Sequence, residues 1–224
     1  MSDDLKNWQP RLRPERKVME GRYVRLEPLD AKKHGDGLYA ASTVPDAGSR
    51  FAWLFENPPE SRAEFDAWLD KAQASEDPLQ FAVIDKASGK VAGRQTLMRI
   101  DQNHGVIEIG SVYWGPIISR KPAATEAQYL FTRYVFDELG YRRYEWKCHN
   151  ENAPSKRAAE RFGFKFEGIF RQHMIAKGKN RDTAWFSIID KEWPALKKAY
   201  EAWLDPSNFD SDGVQKKRLE DFRK

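Results

Sequence analysis

Cysteine is nearly absent, with Cys148 the single thiol in 224 residues. One thiol excludes an intramolecular disulfide, and the four scattered histidines supply no ligand spacing, so no metal is expected and a reducing compartment fits. Long hydrophobic runs are missing too. No stretch approaches the roughly 20 apolar residues that cross a bilayer, so a membrane partner is not expected. The first 16 residues are polar, with Asp3, Asp4 and several basic residues, so they do not read as a secretory signal, and a cytoplasmic protein is the expectation. A surplus of one charge sign is also lacking: 38 Lys and Arg face 34 Asp and Glu, interspersed along most of the chain, for a formal net charge of +4 and a pI near 9.0. That bias suits a small anionic ligand and is too weak to imply specific nucleic-acid binding.

What is present is material for a core. Hydrophobic residues make up 40% of the chain and aromatics 13%, including 8 Trp and 13 Phe, which excludes a wholly disordered chain and fits one domain with appendages. Residues 1–21, with Pro10 and Pro14, read as an N-terminal arm. Residues 22–190 read as the domain, and 191–224 as a C-terminal helix followed by a loose charged tail. Within the domain, Tyr23 to Pro28 alternates as a strand, and Asp30 and Ser61 sit where they would cap helices over Ala31 to Ser42 and after Ser61. Phe81 to Asp85, Val91 to Ile100 and Val106 to Trp114 read as an antiparallel meander separated by turn residues. From Thr125 the period changes: Ala127, Leu130, Phe131, Tyr134 and Val135 mark one helical face, ended by Gly140. A strand (Arg143 to Cys148), a helix (Ala153 to Phe162), a strand from Phe164 and another over Thr183 to Ile189 follow, so an antiparallel half is joined to a βαβ-like half.

Chemistry concentrates in two segments. The first, Trp114 to Ala127, leads a strand into the clearest helix. A helix start offers unpaired N–H groups and partial positive charge to an anion, and Arg120 and Lys121 add two cations, although a basic surface loop before a capped helix would read alike. The second, Asn152 to Phe164, is on its own a helix capped by Asn152 and ended by Gly163. Together, in this order and spacing, they resemble the acetyl-CoA pyrophosphate loop and following motif of the GNAT N-acetyltransferases. Ala124-Thr125-Glu126-Ala127 is similar to the RimJ/RimL branch that acetylates ribosomal proteins. The resemblance spans roughly Arg22 to Ile189. It implies an α/β (α+β) GNAT fold, with a central mixed, mostly antiparallel sheet of about seven strands flanked by helices. It also implies acetyl-CoA as cosubstrate and a primary amine as acceptor, in a monomer or homodimer. Two positions usually taken by glycine in the loop are here Arg120 and Pro122, so the phosphate cradle uses fewer amides and more side-chain charge.

Carried over residue by residue, the resemblance assigns the diphosphate to Ser119, Arg120, Lys121, Ala123, Ala124 and Thr125. It assigns the pantetheine arm to Asn152 and the backbone of Ser111, Val112 and Tyr113, and the proton donor to the departing thiolate to Ser155. The tyrosine that often fills that last role would stand where this chain has Ala159. Glu108, a carboxylate in an apolar strand, is either a base or amine contact, or a structural ion pair. Trp53 and Phe55 fall where the family covers its acceptor, and otherwise read as core aromatics. Arg171 and His173, with Asp182, either bind an acidic substrate group or carry a proton, or are ordinary cross-strand pairs. With no strong base evident, an α-amine of a small molecule, peptide or protein N-terminus is favoured over a lysine side chain. The rival readings are a non-catalytic acetyl-CoA or peptide-binding module, and a ribosome- or RNA-associated binder.

Overall fold

A computed structural model describes residues 5–223; the first four positions of the expected arm and the last of the tail lie outside the described residues. The elements run β1 (Met19–Glu20), β2 (Val24–Pro28), α1 (Ala31–Ser42), α2 (Ala47–Phe51), α3 (Arg62–Ala74), β3 (Leu79–Asp85), β4 (Val91–Asp101) and β5 (Val106–Trp114). There follow α4 (Pro122–Arg133), a π-helical turn (Tyr134–Glu138), β6 (Arg143–His149), α5 (Ala153–Phe162), β7 (Lys165–Ala176), β8 (Lys179–Ile189) and α6 (Trp193–Leu204). Among the described residues one mixed eight-stranded sheet has the order β1-β2-β3-β4-β5-β6-β8-β7, with β5 and β6 its only parallel neighbours. The strand beyond the expected seven is β1, a two-residue pairing inside the segment expected as an arm. That segment is docked: Arg11 N–H donates to Gln102 O (2.9 Å), Glu15 N–H to Tyr134 Oη (2.8 Å) and Tyr141 Oη to Leu12 O (3.1 Å).

The helix starts follow from their caps. Asp30 accepts from Lys33 N at 2.8 Å, Ser61 from Glu64 N at 3.2 Å and Asn152 from Ser155 N at 3.1 Å, each satisfying a donor the first turn would leave unpaired. Alternation along β3 sends its side chains to two layers: Phe81 and Val83 pack with α4, Ala82 and Ile84 with α1 and α3. Helix α4 is buried almost all round between the sheet and α6, which is why its apolar face reads so clearly. Glu126, inside the Ala-Thr-Glu-Ala run, is buried and accepts from the backbone N–H groups of Arg22, Tyr23 and Val24 at 2.6 to 2.8 Å, fastening the start of β2 to α4. The tail expected to be loose also packs: Leu219 is fully buried, Gln215 accepts from Trp203 Nε1 at 2.8 Å, and Arg223 donates to Glu160 O at 2.9 Å. Its few apolar residues anchor it despite the surrounding charge.

Candidate active site

The parallel pairing of β5 and β6 runs from Val106 and Arg143 to Ile109 and Trp146 and stops there, although β5 continues to Trp114 and β6 to His149. The two strands fork. On its other side β5 carries a bulge between Gly110 and Tyr113, where Ser111 takes a left-handed φ of 46° and an extra residue stands against β4. The buried Arg94 fixes it, donating to Ser111 O at 3.0 Å while pairing with Glu56 and lying 4.6 Å over the Trp68 ring. From Gly110 onward the β6-facing edge of β5 therefore offers backbone groups to a ligand instead of a strand. The fork opens into a cleft of about 430 Å³.

Residues of β6 and α5 form one wall. Ser155, in the first turn of α5, accepts from Trp146 Nε1 at 3.0 Å, so its own hydroxyl proton is directed elsewhere. Asn152 spends its Oδ1 on the helix cap, and its Nδ2 has no partner among the described residues. Cys148 lies beside Ser155, and burial pushes its thiol pKa up, with the Ser155 contact only partly opposing. A thiol held protonated is a poor nucleophile. Of the three β5 positions expected against a pantetheine arm, Ser111 and Val112 line the cleft; the Tyr113 side chain turns away, packs 4.8 Å from Phe51 and donates to Ala41 O.

The loop into α4 keeps the geometry that glycine usually supplies. Arg120 adopts φ 62°, a left-handed conformation that costs an L-residue about 1–2 kcal/mol. Pro122 opens the helix at its first turn. Ser119, Lys121 and Ala124 N–H groups are bonded within the loop, whereas those of Arg120 and Ala123 have no partner among the described residues. Arg120 and Lys121 are exposed beside them. Two open amides and two cations fit an anion with fewer backbone donors than a glycine loop gives. Side chains at the other expected positions are engaged inward: Ser119 Oγ donates to Trp114 O (2.7 Å) and accepts from Arg50 (3.2 Å), Thr125 Oγ1 accepts from Arg161 (3.0 Å), and Ala123 and Ala124 are buried.

At the far end of the cleft, Glu108 is buried in an ion network. Arg99 Nη1 lies 2.8 and 2.7 Å from its two oxygens, Lys147 Nζ is 2.8 Å from Oε2, and Lys147 also reaches Glu145 (2.7 Å), which pairs with Arg143 (2.6 Å). Of the two readings of Glu108, the ion pair is the one whose partners are in place. His173 lines the same end, its Nδ1 3.0 Å from Thr183 Oγ1, and its pKa is lowered first by desolvation and then by Arg181, Arg99 and Lys147. Trp53 (40% exposed) and Phe55 (48%) are not core aromatics: they wall the cleft, Trp53 against His149 at 4.9 Å and Phe55 under the Arg181 guanidinium at 4.6 Å. Arg171 is exposed and does not line the cleft; Arg181 does. No role was read from the sequence for Arg181, Arg99 or Lys147, although strand parity carried a signal for Arg181. Ala184, Phe186 and Ile188 enter the core, which places Arg181 and Thr183 on the opposite face of β8.

Residues 24–165 match the family model described as the acetyltransferase (GNAT) domain. A crystal structure of a GCN5-related N-acetyltransferase from Brucella melitensis superposes with a TM-score of 0.97 at 75% identity, covering 98% of this chain and 99% of that one. The uncharacterized N-acetyltransferase p20 of Bacillus licheniformis is 33% identical over 118 residues, 51% of this chain and 64% of p20. YdaF of Bacillus subtilis strain 168, provisionally named a ribosomal N-acetyltransferase, is 30% identical over 110 residues, 49% of this chain and 59% of YdaF. The chain thus spans under two thirds of the length of these two curated relatives. The forked β5 and β6, the helix start behind the Arg120 loop and a family match across most of the sheet lead to one assignment: the chain belongs to the GNAT acetyltransferase family.

Proposed function

We propose that this protein transfers the acetyl group of acetyl-CoA to a primary amine, preferentially an α-amine. The observation that carries the reading is the fork, which exposes the β5 edge from Gly110 onward with Asn152 Nδ2 and Ser155 Oγ beside it. Open amides at Arg120 and Ala123, with the Arg120 and Lys121 charges, would hold the diphosphate, and the Ser111 and Val112 backbone and Asn152 the pantetheine arm. When bound, acetyl-CoA supplies an activated acetyl carbon and a thiolate leaving group. In the transfer a C–N bond forms, the C–S bond breaks, Ser155 gives its proton to the sulfur, and the amine's surplus proton leaves to restore it or to water. Backbone N–H on the β5 edge polarises the carbonyl oxygen. Desolvation and nearby cations lower the pKa of His173 and favour its neutral ring; in the tautomer whose Nδ1–H donates to Thr183 Oγ1, Nε2 relays the amine's surplus proton to water. The protonated Cys148 argues for direct transfer without an acetyl-enzyme.

The acceptor preference rests on proton availability. An α-amine is about a tenth neutral at pH 7, and a lysine amine only a few parts in ten thousand, so a site whose carboxylate is already engaged suits the former. The ribosomal designation given to YdaF agrees with a protein N-terminus as one such acceptor. A cytoplasmic location, where acetyl-CoA is made and used, belongs to the same proposal. Thiol release from acetyl-CoA across α-amines, lysine peptides and aminoglycosides tests it. The α-amines should give the highest kcat/KM; no release with any amine would leave only a binding module.

A further inference from the structure

Arg181 is 8% exposed and buried beside the reacting end of the cleft, yet no hydrogen bond or ion pair reaches its guanidinium among the described residues, and its Nε is enclosed without a partner. The other long cations lining the cleft are matched: Arg50 to Asp46 at 2.9 Å, and Arg99 and Lys147 to Glu108. Phe55 supports the guanidinium from one face at 4.6 Å without neutralising it. An uncompensated buried charge is costly, and such a charge is retained where a ligand completes it. The desolvation is felt in its lowered pKa, which the nearby Cys148 and Glu108 oppose. The planar fork of donors matches a carboxylate.

Resting on the acetyl-transfer reading above, we infer that the acceptor is an amine carrying a carboxylate, and that Arg181 binds that carboxylate. Ser155 and Arg181 line the same cleft, Ser155 on α5 and Arg181 on β8, the strand paired with Cys148's β6, so the carboxylate is bound in the cleft where transfer occurs. One compact acceptor therefore carries both the amine and the carboxylate, as in a free amino acid or an acidic residue at the start of a peptide. His173 and Thr183, joined at 3.0 Å, border the same space, and the His173 Nε2 faces the amine as an acceptor in the tautomer whose Nδ1–H donates to Thr183.

The test compares a free amino acid with its amide, with rates expressed per neutral amine from pH profiles because the α-carboxylate makes the free amine more basic, and peptides opening with Asp with the same peptides opening with Asn. In the unaltered protein one pair or both should show kcat/KM at least about 10-fold higher for the acid, mostly through KM, and the pair that responds tells a free amino acid from a peptide. In Arg181→Gln the acid-over-amide ratio should fall to near one, and Arg181→Lys should restore part of it. A role confined to packing on Phe55 would lower acid and amide together and leave the ratio standing, which overturns the inference, as do equal rates on both pairs in the unaltered protein. Because the substitution removes an unmatched buried charge, Arg181→Gln should fold, as a thermal melt checks. Should no amine release thiol, the acetyl-transfer reading falls separately. The carboxylate inference is then decided by calorimetric titration of the same acids and amides into both proteins: acid-selective binding lost in Arg181→Gln supports it, and indifferent binding ends it.

Discussion

Removing the Ser155 hydroxyl separates catalysis from binding. Its Oγ accepts from Trp146 Nε1 at 3.0 Å, in a partly buried position, and its amide is held by the Asn152 cap at 3.1 Å. Ser155→Ala keeps the cap, since the amide donates, and loses two things: the proposed donor to the leaving thiolate, and the acceptor of the Trp146 N–H. The second costs stability of about 1 kcal/mol, the low end for an unpaired group that is only partly buried, or a fall in Tm of about 2–4 °C. Loss of a positioned proton donor lowers a rate by about 100-fold or more, equivalent to about 2.7 kcal/mol of barrier. A folded variant with kcat down about 100-fold and acetyl-CoA Kd within about threefold of the parent is the expected result, read by thiol release and calorimetry. Trp146→Phe, which keeps the hydroxyl and loses only its orienting donor, should lose about 10-fold or less. A Ser155→Ala protein that retains kcat within a factor of about three would remove Ser155 from the chemistry.

Cys148 should alkylate slowly with iodoacetamide at pH 7 to 8, because burial raises its pKa; the rate should climb only in the alkaline range and fall when acetyl-CoA is added, and fast labelling at pH 7 would contradict both its burial and its place in the cleft. Glu27 is buried, which alone would raise its pKa, yet hydrogen bonds from Lys33, His34 and Arg25 outweigh that and hold it at about 2. Its folded value lies below the unfolded one, so about 3 kcal/mol is fully present above roughly pH 4.5 and is lost as pH falls toward 2. Urea melts of Glu27→Gln against the parent should therefore show a gap that narrows between pH 5 and 3, and a constant gap refutes the assignment. Lys147→Met should cost about 3 kcal/mol in the same assay at pH 7, through the buried carboxylates it leaves facing each other; a loss under about 1 kcal/mol would mean the bridge is idle.

Where a signal was local, the sequence carried it well. Asp30, Ser61 and Asn152 each cap the helix that follows, and the α5 boundaries, Ala153 to Phe162, are those read from its capping residues and pattern. Long-range pairing was less visible. The segment before Gly21 reads as an arm because its two-residue strand has no period to detect, and its attachments to Gln102, Tyr134 and Tyr141 lie far along the chain. The helix from α4 changes to a π turn at Tyr134–Glu138, where Trp193 and Lys197 of α6 bind Asp137 at 2.6 and 2.7 Å, contacts no periodicity encodes. The candidate site divides likewise. Ser155, Asn152, Ser111 and Val112 came from motif resemblance and line the cleft, whereas Arg171 was named and Arg181 was not, because charge alone does not say which face of a strand turns inward.

Register explains how the fork is held. Glu108 on β5 and Glu145 on β6 stand directly opposite in the last stretch of parallel pairing, one residue before the strands part. Two buried carboxylates in that position repel and would pry the strands apart below the fork. Lys147 bridges them at 2.8 and 2.7 Å, Arg99 and Arg143 close the outer ends, and the Trp185 ring lies 3.7 Å from the Lys147 ammonium. The network thus works as a clasp at the base of the V, so the strands separate at Ile109 and Trp146 and no earlier. The same clasp consumes the cations nearest the cleft. Arg181, one strand over on β8, is the guanidinium in the cleft lining that the clasp leaves without a partner among the described residues, which is why the proposed carboxylate site falls there.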